Sequence, residues 1–373
     1  MTMLPAYYCD PAHHSLELQS LFSTHWVFAG LAFELEGYRH RGLRVGATDL
    51  VLQRDRAGRP RAFLNTCAHR HAQLCSNGLH DGAVRCPYHG WVYDREGVPV
   101  GIPQPHAFPA VVAAPQEHRL TELACDMAGE FIFVRLSAEG PSLHAYLGPE
   151  HEFLCQASVG MDRNLDEFRQ DVLANWKLVI ENSLEGYHVP AVHSQTFMQV
   201  AGMASASTGS MPRDNLEHSL HSSMVHAAEP GWLARFQRGV ERRLGRWPWR
   251  FPHYTHRHIF PNLTVTSFMG YSFHVQAFEP TAPERTTVHS RTIGVRFQDQ
   301  HEAGRRMLQL MLDDSHAFTR RVFDEDGAIC ARVQAGVRQA RRPAVLAQGL
   351  EDRVAHFQKA YLAQMRAALD FPA

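Results

Sequence analysis

Cys67-Ala68-His69-Arg70 and, after the chain has gone out and back, Cys86-Pro87-Tyr88-His89-Gly90-Trp91 decide how the first part of this sequence is read. Each motif offers one cysteine and one histidine. A zinc finger usually supplies a pair of cysteines and then a pair of histidines, whereas mixed pairs let both thiolates take one iron and both imidazoles the other. That division suits a [2Fe–2S] cluster. Two neutral imidazoles in place of thiolates reduce the cluster's negative charge and raise its potential, which makes it a one-electron relay. Cys67, His69, Cys86 and His89 are therefore the expected cluster ligands, and a zinc site on the same four residues is the competing reading. Cys75 and His71 lie close by but off the pattern, and both are read as non-ligands.

Working outward, the surrounding sequence is a series of short strand patterns broken by turns: Leu43 to Leu52, Arg61 to Thr66, Ala83 to Tyr93 and Gly129 to Val134. This is the pattern of a small all-β unit. A Gly-, Pro- and Ser-bearing stretch from Ser137 to Pro149 follows, and beyond it helix and strand patterns mix. The expected domains are 1–147 and 148–373. In the 373 residues, 45% are hydrophobic and 20% charged, with a formal charge of −1, so no bulk field attracts nucleic acid or a membrane surface. Residues 1–30 lack a continuous apolar stretch, and the seven cysteines are odd in number and scattered. The expectation is a cytoplasmic chain without a disulfide framework, a nucleic-acid partner or a membrane partner.

In the second part, Trp176, Val179, Ile180, Leu184 and Tyr187 recur with the period of an amphipathic helix over Asn175 to Tyr187. It runs into Glu185-Gly186-Tyr187-His188-Val189-Pro190-Ala191-Val192-His193. Pro190 disfavours helical geometry at Val189, so the helix is expected to stop near His188. Residues five apart on a continuous helix point about 140° apart, and a turn is needed to bring His193 back over His188. Two imidazoles and one carboxylate on a single face form the facial triad of non-heme Fe(II) oxygenases. For the carboxylate, Asp324-Glu325-Asp326 offers three acids in a row, in a helical segment expected from Ala303 to Gln334. Asp326 is chosen because it lies three and seven residues before Ile329 and Val333, which with Cys330 form the expected buried stripe. Two β-patterned runs, Leu263 to Met269 and Tyr271 to Phe278, read as a hairpin turning at Gly270. A third strand is expected over Thr286 to Phe297, and a last helix over Val345 to Leu369.

Taken together, Cys67-x-His69-Arg70, Cys86-x-x-His89-Gly90-Trp91, Glu181-Asn182, Glu185, Tyr187-His188 and His193 resemble the large (α) subunit of Rieske ring-hydroxylating oxygenases across most of the chain. The resemblance implies an α+β fold: a small all-β Rieske domain, and a larger helix-grip catalytic domain with an antiparallel sheet flanked by helices. It implies a [2Fe–2S] Rieske cluster and a mononuclear Fe(II) held by His188, His193 and Asp326. Glu185 would bridge that iron and the cluster of a neighbouring subunit in a homotrimer. Electrons from NAD(P)H would come indirectly, through a separate flavin/iron–sulfur reductase or a ferredoxin, since the chain has no convincing nucleotide-binding glycine motif. Where Glu185 stands, many members have Asp; Glu is similar to members acting on carnitine, choline and glycine betaine. The implied activity is O2-dependent monooxygenation of a small organic substrate. An aromatic ring cis-dihydroxylating dioxygenase is the alternative within the family, and an electron-transfer Rieske protein the alternative outside it. Quaternary ammonium substrates call for aromatic faces, and Trp247, Trp249, Phe251, Tyr254, Phe260, Phe268, Tyr271 and Phe273 supply candidates.

Overall fold

The computed structural model describes residues 3–199, 213–227, 230–246, 250–268, 270, 272–298 and 301–369. It divides into two compact units, Glu17–Ser158 and Met1–Leu16 with Val159–Ala373. The boundary expected near residue 147 falls between two short helices, Leu143–Leu147 and Pro149–Ser158, and both belong to the first unit. No described helix is long and apolar enough to cross a membrane.

In the Glu17–Ser158 unit a seven-stranded antiparallel sheet has the order Val27–Leu31, Phe131–Arg135, Glu122–Ala128, Pro60–Leu64, Thr48–Arg54, Arg39–Val45, Gly78–Asp81. The run read as one strand from Leu43 to Leu52 is a hairpin that turns at Gly46. Its φ is +57°, and a Cβ there would meet the Leu18 carbonyl oxygen at 2.7 Å, so only glycine fits. A smaller sheet of Val84–Arg85, Val92–Tyr93 and Pro99–Gly101 carries the second Cys–His loop. Phe63, Leu74, Trp91 and Tyr93 pack into one buried cluster with Cys67 and Cys86. Burying Phe63 completely contributes about 2–3 kcal/mol. The same packing that stabilises the unit thus places both thiols out of water.

The other unit is built on a curled antiparallel sheet whose strands are β1 (Met161–Val172), β2 (Arg213–His218), β3 (His221–His226), β4 (Tyr254–Ile259), β5 (Leu263–Phe268), β6 (Ser272–Ala282) and β7 (Arg285–Val295). Their order is β1-β7-β6-β5-β4-β3-β2. Among the described residues, helices α1 (Trp176–Leu184), α2 (Val189–Val192), α3 (Pro230–Leu244), α4 (Glu302–Val337) and α5 (Asp352–Leu369) belong to it. The expected hairpin of β5 and β6 is present. The last helix starts seven residues later than expected, at Asp352 rather than Val345.

Cross-strand partners on one face of this sheet are His256, Thr266, His274 and Thr292, with His258, Thr264, Gln276 and Ser290 in the next row. Phe323 of α4 packs on His274 with ring centroids 5.0 Å apart, and the Arg353 guanidinium of α5 lies 3.1 Å from His256 Nδ1. Both helices therefore lie over a polar floor. Burial keeps its imidazoles uncharged: His274 is pushed down to about 4, and His256 and His258 well below the usual imidazole range, the last two also by the Arg353 charge.

The amino-terminal segment enters this unit through Tyr8, whose hydroxyl donates to Glu181 Oε1 at 2.8 Å, while Gln358 Nε2 donates to the same oxygen at 3.2 Å. Burial pushes the Glu181 carboxyl up to about 7, against an ordinary 4.5. Between these values the folded chain holds a proton that the unfolded chain releases, so stability present at lower pH is lost as pH rises through this window. Replacing Glu181 by Gln should stabilise the protein on the order of 3 kcal/mol at pH 8 and about 1 kcal/mol at pH 5. Thermal unfolding midpoints at the two pH values check this; an equal shift at both would contradict it.

Candidate metal centres

The two Cys–His loops share one backbone construction. In the first, His71 N–H donates to the Cys67 carbonyl at 2.9 Å and Cys67 N–H to the Ala72 carbonyl at 2.9 Å; in the second, Gly90 N–H donates to Cys86 at 3.0 Å and Cys86 N–H to Trp91 at 2.8 Å. The residue closing each loop is left-handed, His71 with φ +60° and Gly90 with φ +73°. His71 is therefore a turn residue, which accounts for a histidine beside the motif but outside it. The repeated turn presents Cys and His from each loop toward a common space, with the His69 and His89 ring centroids 4.6 Å apart.

Supporting groups complete the first site. Tyr93 Oη lies 3.1 Å from Cys67 Sγ and accepts from Ala68 N–H at 3.0 Å. The His69 ring stacks on Trp91, with centroids 5.1 Å apart and planes 5° off parallel, and Phe108 meets both rings edge-on. His69 Nδ1 is buried without a hydrogen-bond partner, which is the position of an atom awaiting a ligand bond. Burial raises the Cys67 thiol and lowers the His69 imidazole. A thiol held protonated by burial becomes a thiolate when a metal replaces its proton. The donor set and the orphaned nitrogen fit a cluster with two sulfur and two imidazole ligands.

The second site forms where α1 ends. The helix stops at Leu184, earlier than expected, because Glu185 is extended (φ −129°, ψ 166°) and its Oε2 accepts the N–H groups of Tyr187 and His188. Pro190 then lies in the first turn of α2, where its missing N–H costs nothing, and does not itself end the preceding helix. His188 and His193 flank this single turn, with ring centroids 5.2 Å apart. The turn replaces a helical path that would have pointed them apart.

Helix α4 brings the carboxylate. Its buried stripe is Val322, Cys330 and Gln334, whereas Val333, expected inside, is 44% exposed and Ile329 only partly covered. Asp326 belongs to that stripe through the four-residue spacing Val322–Asp326–Cys330–Gln334. Gln334 Oε1 accepts from Asn175 N at 2.9 Å at one end, and Asn182 Nδ2 donates to Asp326 Oδ1 at 2.8 Å at the other. The two helices therefore run antiparallel and hold Asp326 beside the His–His turn. Asp324 faces away from it, its Oδ1 accepting from Gln170 Nε2 at 3.3 Å.

Asp326 Oδ1 is 3.1 Å from His193 Nε2 and 3.5 Å from His188 Nε2. His188, His193 and Asp326 each offer a ligand atom within 4.8 Å of the others, the one such group of three or more among the described residues. On the far side of each ring stands a second acid: Glu185 Oε1 on His188 Nδ1, and Glu325 Oε2 on His193 Nδ1 at 2.6 Å. Burial opposes charge on these groups, but mutual pairing prevails. Hydrogen bonds from both histidines and Asn182 bring Asp326 down to about 2, and Asp326 with Glu185 brings His188 up to about 9; His193 is raised and Glu325 lowered. Protons on the two Nε2 atoms stand where a divalent cation would. Two nitrogens and a carboxylate on one side suit iron with positions left open. The sequence reading names Asn182 only as part of the resembling motif and Glu325 only as one of three candidate acids, and it passes over Thr196. Only the adjacency of Asn182 to Glu181 in the helix motif hinted at the first.

Two family models cover the regions that carry these residues. Residues 25–116 match the Rieske [2Fe–2S] domain, and residues 161–367 match the ring hydroxylating alpha subunit (catalytic domain). The glycine betaine monooxygenase oxygenase subunit of Chromohalobacter salexigens is 30% identical over 191 residues, covering 51% of this chain and 42% of that protein. The chloroplastic choline monooxygenase of Spinacia oleracea is 28% identical, covering 50% and 44%. The match thus spans less than half the length of these curated relatives. Among solved structures, the quaternary ammonium Rieske monooxygenase CntA with L-carnitine superposes with a TM-score of 0.75 at 19% identity, covering 97% of this chain and 95% of that one. Naphthalene 1,2-dioxygenase from Rhodococcus sp. gives 0.76 at 20%, covering 100% and 95%. The fold is shared with both kinds of oxygenase, and the chain belongs to the family of Rieske ring-hydroxylating oxygenase alpha subunits, with a Rieske [2Fe–2S] domain ahead of a non-heme iron catalytic domain.

Proposed function

We propose that this chain is the terminal oxygenase of a Rieske monooxygenase system, hydroxylating or oxidatively cleaving a small polar substrate with O2 and electrons from a separate NAD(P)H-dependent reductase or ferredoxin. The observation that carries the reading is the convergence of His188, His193 and Asp326 within 4.8 Å. In this reading Cys67 and Cys86 hold one iron of the cluster, His69 and His89 the other, and His188, His193 and Asp326 the mononuclear iron. When bound, the cluster supplies single electrons and the iron a place where O2 meets the substrate. The chain's own groups orient these centres. Glu185 keeps a proton on His188 Nδ1 and so leaves Nε2 free to ligate. Asn182 fixes the Asp326 carboxylate. A cyclic homotrimer in the cytoplasm, with Glu185 linking centres of neighbouring subunits, completes the proposal.

The relatives named for glycine betaine and choline favour a quaternary ammonium compound. Aromatic pairing in the structure gives that choice less support. Phe251 packs edge-on against Phe273 at 5.9 Å, and Phe260 is fully buried against Phe357. Three rings, those of Tyr8, Trp176 and Tyr361, do surround a cation within 6 Å, but it is the buried Lys177 ammonium. Trp247, Trp249 and Tyr271 lie outside the described residues.

Anaerobic purification followed by metal analysis tests the reading. About three iron atoms per chain and a Rieske-type EPR signal after reduction are expected. About two would leave an electron carrier, and zinc in their place would refute both. Product analysis over a panel of betaines, amines, carboxylates and arenes with a surrogate reductase then separates monooxygenation from cis-dihydroxylation.

A further inference from the structure

Consecutive acids of α4 grip opposite nitrogens of one imidazole. Asp326 Oδ1 is 3.1 Å from His193 Nε2, and Glu325 Oε2 is 2.6 Å from His193 Nδ1. The His193 side chain is 1% exposed, so water does not compete for either nitrogen. Glu325 Oε2 also accepts from Thr196 Oγ1 at 2.6 Å, three residues beyond His193. Thr196 is itself buried and tied back by its N–H to the His193 carbonyl at 3.2 Å. Glu325 is thus held from the same loop that carries the histidine.

We infer that Glu325 is a positioning residue for the mononuclear iron, fixing the tautomer and ring plane of His193 and strengthening it as a ligand. The inference rests on the reading of His188, His193 and Asp326 as the iron site. A carboxylate that accepts the Nδ1 proton leaves the Nε2 lone pair pointing at the metal position, and partial negative charge passed to the ring raises its basicity. Without the acid, the imidazole is free to place its proton on Nε2, and ligation must first reverse that choice. The helix explains why two different acids are needed. Adjacent residues point about 100° apart on α4, so the shorter Asp326 reaches the metal side while the longer Glu325 passes around to the other edge of the ring. His188 receives the same treatment from Glu185, but from its own loop. The two ligands therefore have independent supports, and loss of one leaves the other in place.

Competition of Fe(II) alone against a chelator, on anaerobic full-length protein with an intact cluster, measures the effect. Glu325→Leu should weaken retention of the mononuclear iron about 10- to 100-fold, with an unchanged cluster EPR signal and thermal midpoint. Glu325→Gln keeps an acceptor for the Nδ1 proton but not the charge. It should lose less affinity than the leucine variant and shift the mononuclear Fe(III)/Fe(II) midpoint upward, a change that packing alone would not produce. In a double-mutant cycle, Glu325→Leu should add no further loss to His193→Ala. Wild-type iron affinity in Glu325→Leu, or an unshifted midpoint in Glu325→Gln should the leucine variant not fold, overturns the inference. Wild-type iron content in His193→Ala instead removes the site reading beneath it, so the two failures are distinct.

Discussion

Asp326→Ala should yield protein that keeps its brown colour and reduced-cluster EPR signal yet loses about one iron per chain and more than about a hundredfold in turnover, beyond the loss expected of a supporting residue. The reasoning is geometric. Asp326 Oδ1 is the shared neighbour of both Nε2 atoms, at 3.1 and 3.5 Å, so its removal takes away the anionic member of the triad and leaves two imidazoles to hold a divalent ion. Cys67, His69, Cys86 and His89, the proposed cluster ligands, belong to the other unit. Asp324→Ala is the matched control: its carboxylate accepts from Gln170, and its loss should leave iron content as in the wild type. Retention of iron and turnover in Asp326→Ala, with loss of both in Glu325→Ala, would transfer the ligand role to Glu325.

With Glu185→Gln the expected picture is different: at saturating Fe(II) both metals are present, and the approach to product is slow. Glutamine can still accept the Tyr187 and His188 N–H groups through its oxygen, so the turn that pairs the histidines should survive. What disappears is the negative charge on His188 Nδ1. Reoxidation of the prereduced cluster in a single turnover with substrate and O2 should slow by about 10- to 100-fold, while the steady-state KM for substrate stays near that of the wild type. A wild-type single-turnover rate would show that Glu185 only caps the turn. Mixing the Glu185→Gln chain with a variant of the proposed cluster ligands offers a sharper measurement, because the two should complement each other if the chains assemble and the link crosses between them.

Much of this architecture could be read from residue types because the chemistry is concentrated in short, regularly spaced motifs. Cys67, His69, Cys86 and His89 stand out by mixed pairing as the proposed cluster ligands, and His188 with His193 by their spacing around a break. The position of that break was harder to read. Pro190 looked like its cause, whereas Glu185 ends the helix through its own carboxylate, an interaction that depends on side-chain direction and leaves no trace in hydrophobic period. Asp326 was chosen through a stripe containing Ile329 and Val333, yet the buried face runs through Cys330 and Gln334. Gln334 is polar, and hydrophobic period gives it no place in a buried stripe. Its burial follows from its bond to Asn175 N–H, a partner far away in sequence. Glu325 and Asp326 differ by one methylene on paper, and in the structure they take opposite edges of the His193 ring.

The opening residues, Met1–Leu16, belong with the unit that resumes at Val159, whereas Glu17–Ser158 is one uninterrupted stretch. During synthesis, then, the iron–sulfur portion has all of its chain in hand long before the oxygen-activating portion, which must keep its first segment waiting until its last helices emerge. Maturation in the cell should accordingly be ordered, with cluster insertion possible on the nascent chain before the mononuclear iron can be loaded.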